Sequence, residues 1–309
     1  MGHVQFGLIV PENPRNPPSR HRYMEDVNRL LTLVKGHYDS VWCIDHLDGD
    51  VLEGWTTVTW LAALHPEFVW GHTVLCQSFR NPALVAKMGA TLHYMSGGRF
   101  VLGLGAGGQE DEYLAYGYDF PRAGIRVAEL DEALQIIRAM WTHERVTFEG
   151  THHRVLGATC EPRPDPVPPI MVGAFQPRML RLTARHADWW NVSSTSIEAY
   201  RDEVREFERA CDDAGRDPST VRRAWSGGCV CAPTQAEVAH LTANRWRGED
   251  VADPEDENFD FVGTPAQVIE QMQAFIALGV DSFLLDCGGF PRLTTVETLI
   301  ADVLPALNR

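Results

Sequence analysis

No stretch of this chain approaches the roughly 18 consecutive apolar residues that a membrane-spanning helix needs, so none is expected. Basic side chains are in the minority: 27 Lys and Arg stand against 42 Asp and Glu, for a net charge of −15. Such an acidic chain repels phosphate backbones, so nucleic acid is not an expected partner. An anionic cofactor would have to be held by a local patch working against the global field. Cysteines are few and scattered. The seven, Cys43, Cys76, Cys160, Cys211, Cys229, Cys231 and Cys287, are odd in number, and most sit in apolar strand-like runs. They read as buried, reduced thiols of a cytoplasmic protein, not as a disulfide framework. A leader is not expected either: in MGHVQFGLIVPENP the apolar run is short, follows no basic segment and ends in Pro, which reads as a first strand. Internal repeats and low-complexity tracts are absent.

What the chain does have is rhythm. Its 309 residues, 44% hydrophobic and 22% charged, suit one large core and are read here as a single domain over 1–309. Short apolar runs alternate with helical patterns. Strands are expected at Val4–Val10, Ser40–His46, Phe68–Leu75, Arg99–Gly105, Ile170–Ala174, Trp189–Ser193, Arg223–Cys231 and Ser282–Cys287. The clearest helix is Arg122–Trp141, where Val127, Leu130, Leu134, Ile137 and Trp141 recur at spacings of three and four. A terminal helix near Val296–Leu304 should be closed by Pro305. Eight strand-helix units favour a (β/α)8 TIM barrel over an open doubly wound sheet. Two segments break the rhythm and read as insertions. Thr142–Pro169, after helix four, contains the β-like piece Arg145–Glu149 and could form a hairpin. Ala232–Phe261, after strand seven, has a helical piece and the acidic run Glu249–Glu257, and could act as a lid.

In a barrel, chemistry gathers at the C-terminal ends of the strands. Strand two ends in Asp45-His46, where an imidazole could exchange a proton with a bound ring or substrate and Asp45 could bias its charge. A polar loop start capping the next helix is the simpler alternative. Asp45, His46, Asp48 and Asp50 match no defined metal spacing. Strand four ends in Gly103-Leu-Gly105-Ala-Gly107-Gly108, which fits G-x-G-x-x-G and keeps a dinucleotide site open. Its place in the fourth unit, and the acidic Glu110, Asp111 and Glu112 after it, argue instead for bare backbone beside a flat ring. Strand five ends in Gly173-Ala174 before a helix carrying Arg178, Arg181 and Arg185, which suits a phosphate. Hydroxyls at Ser193, Ser194 and Thr195 could serve the same anion, or simply cap a helix. His72-Thr73-Val74 at the end of strand three has no role that physics alone assigns. Trp42, Trp55, Trp189 and Trp190 suit either an aromatic-walled cavity or core packing.

These residues carry a resemblance. The stretch SGGRFVLGLGAGGQEDEYLAYGYDFPRAGIRVAELDEALQIIRAMWTHERVTFEG, with PPIMVGAFQPRMLRLTARHADWWN and FVGTPAQVIEQMQAFIALGVDSFLLD, resembles the bacterial luciferase-like monooxygenase family. The resemblance implies a (β/α)8 barrel, often a homodimer, that uses FMN or the deazaflavin coenzyme F420. The Asp45-His46 pair is similar to that of the F420-dependent branch, where the His faces the reactive side of the deazaflavin. That branch implies hydride transfer to or from a small organic substrate. It also implies a non-proline cis peptide at Thr73-Val74 behind the ring. Gly105, Ala106, Gly107 and Asp111 would lie near the ring and its side chain, and Gly173, Ala174 and Ser193 at the phosphate. The alternative within the family is a reduced-FMN monooxygenase served by a partner flavin reductase. An NAD dehydrogenase and a barrel that only binds a ligand are the readings outside it. Gly108, where many relatives are bulky, Asp111, where some have Asn, and Trp189-Trp190-Asn191 depart from the family pattern.

Overall fold

A computed structural model describes residues 3–11, 22–49, 51–244 and 261–308. The order of elements follows the expected alternation. It begins β1 (Gln5–Ile9), α1 (Tyr23–Val34), β2 (Ser40–Cys43), α2 (Gly54–Leu64), β3 (Val69–His72), β4 (Leu75–Cys76), α3 (Pro82–Met95) and β5 (Phe100–Gly105). It continues α4 (Glu110–Ala115), α5 (Ala123–Thr142), β6 (Val146–Glu149), β7 (Arg154–Ala158), β8 (Ile170–Gly173), α6 (Pro177–His186), β9 (Trp189–Ser193) and α7 (Ile197–Asp213). It closes with β10 (Arg222–Cys231), α8 (Gln235–Asn244), β11 (Phe261–Gly263), α9 (Pro265–Ile276), β12 (Ser282–Cys287), α10 (Thr294–Thr298) and α11 (Leu304–Leu307).

Contacts divide the chain into two compact units. One comprises residues 1–42, 191–205 and 222–309, the other residues 43–190 and 206–221. In the first unit β1 pairs in parallel with β12 and with β2, and β10 pairs in parallel with β12 and β11. Its core is aromatic: Trp225 lies 4.2 Å from Phe261 between ring centroids, and both rings touch Phe275 and Phe283. Helix α9 starts on a capping box, in which Thr264 and Gln267 satisfy each other's main-chain N–H groups, followed by Pro265.

In the second unit β3, β5 and β8 form a parallel sheet, with β4 pairing the end of β5. Every residue of β5 is buried, as expected of a parallel strand covered on both faces. Helix α5 buries Leu130, Leu134, Ile137 and Trp141 of the stripe read from the sequence, with Val127 half-buried, and the Trp141 indole donates to the Ala86 carbonyl at 2.8 Å. The insertion after α5 is a hairpin, β6 antiparallel to β7. The insertion after β10 contains α8, while the acidic run Glu249–Glu257 and any lid role lie outside the described residues. Among the described residues no helix is long and apolar enough to cross a membrane. All seven cysteines are buried, and none forms a disulfide among the described residues.

One expectation is corrected and one open reading is decided. Pro305 does not end the last helix: a π-helical stretch, Leu299–Val303, precedes it and α11 runs on to Leu307. The changed hydrogen-bond register places the proline in the first turn of a new segment, where its missing N–H costs nothing. Of the four tryptophans, Trp42, Trp55 and Trp190 are buried in packing: Trp42 bonds Ser40, Trp55 stacks on His72, and Trp190 stacks on Phe207. The short helix α4, in a stretch read only as acidic, was not expected.

Candidate functional site

The end of β2 is held by a buried ion pair. The Asp45 side chain is 0% exposed and receives both terminal nitrogens of Arg80 at 2.7 Å. It also accepts the Cys76 main-chain N–H at 2.9 Å. Arg80 bonds Glu53 as well, and Glu53 caps α2 by accepting the N–H groups of Trp55 (3.0 Å) and Thr56 (2.7 Å). Burial pushes the Glu53 carboxyl up, but bonds from Thr56 and Trp55, and then Arg80, bring it down to about 2. For Arg80, burial opposes the charge, and Asp45 and then Glu53 more than reverse this, so the guanidinium stays charged. Asp45 is therefore bound to Arg80, and it is Glu112 that stands beside His46.

His46 follows on the chain with its side chain 33% exposed. Its Nδ1 lies 3.5 Å from Oε1 of Glu112, whose side chain is 9% exposed. The same Glu112 oxygen accepts the main-chain N–H of Leu47 and, at 3.2 Å, that of Asp48. Tyr116 donates its hydroxyl to the Leu47 carbonyl at 2.5 Å. Leu47 packs on the cluster of Cys76, Phe79 and Tyr113. Helix α4 and the residue after it thus grip the His46-Leu47-Asp48 turn by its amides, a carbonyl and a side chain.

Behind this turn the peptide Thr73-Val74 is cis. The Thr73 N–H donates to the Cys43 carbonyl at 2.9 Å. Val74 is the meeting point of several candidate residues. A Cβ on Gly105 would lie 2.7 Å from its side chain, and one on Gly173 3.4 Å from it. The glycine run serves backbone packing before anything else: a Cβ on Gly103 would sit 1.8 Å from the His72 carbonyl oxygen. Gly107 has φ +74°, and a Cβ there would strike the Tyr113 hydroxyl at 2.0 Å and Cys76 Sγ at 2.7 Å. Those two groups bond each other at 2.9 Å, and burial raises the pKa of both. A Cβ on Gly108 would meet nothing within 4 Å, so bare backbone there faces open space.

The second unit therefore brings Asp45, His46, Thr73, Val74, Gly105, Ala106, Gly107 and Gly173 to neighbouring strand ends. Ala174 is buried, and its carbonyl accepts the Trp190 indole N–H at 2.7 Å. Asp111 is exposed on the first turn of α4. Ser193 belongs to the first unit, where its hydroxyl lies 3.1 Å from that of buried Ser226, which Asn191 contacts at 3.0 Å. Ser194 beside it has φ +41°, a left-handed backbone uncommon for a side-chain-bearing residue. His72 is fully buried, stacked on Trp55 at 5.1 Å, and its pKa is lowered to about 4 by burial. Arg80, Glu53, Glu112, Cys76 and Tyr113 carry the arrangement; from the sequence Glu112 is read only as part of an acidic run and Cys76 only as a buried thiol, and the other three are not singled out. Glu53 directly before a helix start is the only one with a local signal, an acidic N-cap.

Comparison with known proteins gives the family. Residues 5–260 match the model of the luciferase-like monooxygenase family. An F420-dependent glucose-6-phosphate dehydrogenase of Kineococcus radiotolerans is 36% identical over 305 residues, spanning 87% of this chain and 89% of that protein. An F420-dependent hydroxymycolic acid dehydrogenase of Mycobacterium tuberculosis is 29% identical, spanning 87% and 80%. Among solved structures, an F420-dependent secondary alcohol dehydrogenase in complex with an F420-acetone adduct superposes with a TM-score of 0.83 at 21% identity, over 100% of both chains. That likeness shows the fold, a closed barrel of eight parallel strands with alternating helices. The chain belongs to the luciferase-like monooxygenase family and is an oxidoreductase built on the (β/α)8 barrel.

Proposed function

We propose that this protein is a coenzyme F420-dependent dehydrogenase or reductase acting on the alcohol or carbonyl carbon of a small organic substrate, with His46 as its proton donor or acceptor. One observation carries the reading: a one-third-exposed imidazole just past a strand end, next to the Arg80-bound, fully buried Asp45 and flanked by Glu112. The names of the relatives, F420-dependent glucose-6-phosphate and hydroxymycolic acid dehydrogenases, support it.

The residues present suit a flat ring. Gly105, Gly107 and Gly108 carry no side chain, Gly105 lies against Val74, and Gly108 has open space where a Cβ would be. Ala106, Gly107 and Gly173 would lie along such a ring in this reading, and Thr73 and Val74 behind it. The exposed Ser193 hydroxyl is a donor suited to an anion, whereas buried Ser226 donates its own hydrogen to the Val192 carbonyl. When bound, the deazaflavin supplies a two-electron hydride acceptor or donor. On the protein side, His46 takes the O–H proton as a substrate alcohol becomes a carbonyl, or returns it in the reverse direction. Asp45 stays bonded to Arg80 throughout and holds the His46 turn in place; it is a positioning residue. A homodimer is part of the same reading, and analytical ultracentrifugation tests it.

Titrating the cofactor-free protein with F420 and with FMN, followed by fluorescence, decides the cofactor. Tight binding of F420 with weak binding of FMN is expected. The opposite order refutes the reading. His46→Ala should leave F420 affinity near that of the parent and lower turnover about a hundredfold or more.

A further inference from the structure

We propose that Glu112 is a positioning residue that holds the His46 imidazole with Nδ1 inward, leaving Nε2 as the nitrogen that exchanges a proton with substrate. The proposal deepens the functional reading above and rests on it for the meaning of the free nitrogen.

Three groups of the His46 turn meet at one oxygen. Glu112 Oε1 accepts two successive main-chain N–H groups, Leu47 and Asp48, and stands 3.5 Å from His46 Nδ1. A carboxylate oxygen can serve several donors, and it accepts only. It therefore favours a hydrogen on the ring nitrogen that faces it. Neutral imidazole carries one N–H, so a hydrogen on Nδ1 leaves the lone pair on Nε2. Glu112 is buried and His46 is one-third exposed, so Nδ1 faces the protein's own carboxylate and Nε2 is the nitrogen left for a ligand. Asp45, the carboxylate next to His46 in sequence, is fully engaged with Arg80 and Cys76. The sequence-adjacent acid thus fixes the strand end, and an acid 66 residues further along faces the ring.

The grip is more than a single contact. Tyr116 bonds the Leu47 carbonyl, so the turn after His46 is tied at both its N–H and C=O groups by residues four apart. The hydroxyl touches the loop and not the ring. It serves as an internal control, because loosening the loop through Tyr116 leaves the acceptor opposite Nδ1 in place.

The experiment uses the full chain labelled with 15N-histidine, and long-range 1H–15N spectra at alkaline pH, where the ring is neutral. His46→Gln identifies the His46 signals. The expected wild-type pattern is a protonated Nδ1 and an unprotonated Nε2. Glu112→Ala should populate the other tautomer and lower kcat of the F420-loaded enzyme about tenfold to a hundredfold with F420 affinity unchanged. Glu112→Gln keeps an acceptor oxygen for both amides and the ring, and should restore the wild-type tautomer and most of kcat. Tyr116→Phe should leave the tautomer unchanged. A wild-type ring protonated on Nε2, or a Glu112→Ala spectrum like that of wild type, overturns the proposal. If Glu112→Ala does not fold, the wild-type and Glu112→Gln spectra decide alone, and an altered tautomer in Glu112→Gln overturns it. Because the tautomer is read without cofactor, failure to bind F420 would refute the functional reading and leave this result standing.

Discussion

Replacing Arg80 with methionine would leave the Asp45 carboxylate charged, 0% exposed and without its cation. The aliphatic stem of methionine roughly replaces that of arginine, so the change is mainly electrostatic. Two bonds of 2.7 Å to Asp45 and one to Glu53 disappear. Asp45 would keep the Cys76 N–H. Glu53 would keep its two cap bonds, which contribute more to its low pKa than Arg80 does. The loss therefore falls on Asp45. Removing one partner of a buried pair destabilises by about 3–5 kcal/mol, most of it the cost of the uncompensated charge. The origin of that cost can be separated from lost packing. In Asp45→Asn with Arg80→Met, the amide oxygen still accepts from Cys76 and no buried charge remains. The double variant should be more stable than Arg80→Met alone, by about 1–3 kcal/mol. Urea denaturation at neutral pH measures both. A loss below about 1 kcal/mol in Arg80→Met, or a double variant no more stable than the single one, would refute the reasoning.

Three further outcomes follow from burial. His72 has its pKa depressed to about 4 against about 6.5 in an unfolded chain. The unfolded state therefore takes up a proton that the folded state refuses. Stability should fall by about 3 kcal/mol as pH drops from about 6.5 to about 4 and level off below; in urea titrations across that range, His72→Phe should abolish this component. Glu203, raised to about 7 by burial alone, has an Oε2 with no hydrogen-bond partner and acts in the opposite sense. Its contribution is present at low pH and lost as pH rises from about 4.5 to about 7, so Glu203→Gln should gain about 1–2 kcal/mol at pH 7.5 and little at pH 4. Gly107→Ala should cost about 1–3 kcal/mol because its backbone is left-handed and its Cβ would collide with Tyr113 and Cys76; Gly108→Ala, open on all sides, should leave the melting temperature nearly unchanged.

Much of the fold was legible because its periodicities are local. The stripe of α5 and the apolar run of β5 follow from the spacing of their own residues. The pieces that were not legible are short or irregular. Strand β7 contains Gly157 in a left-handed conformation, β4 has two residues, and α4 has six. The last two are too short to display a period, and in β7 the glycine breaks the alternation. The π-helical stretch before Pro305 is likewise a tertiary adjustment, since a proline in a helical pattern normally marks an end.

The candidate site divides along the same line. By itself the sequence determined which residues stand at the strand ends: Asp45-His46, Thr73-Val74, the glycines from Gly103 to Gly108, and Gly173-Ala174. Each follows an apolar run and needs only its neighbours to be located. What the tertiary structure alone decided is the partnership of the charges. Arg80 lies 35 residues from Asp45 and 27 from Glu53, and Glu112 lies 65 residues from Leu47, yet each pair is bonded. A carboxylate on a loop looks the same in sequence whether it faces water, a cation or a row of amides. Its partner is set by which loops the parallel strands bring side by side, and that distance is not written in the spacing of the chain.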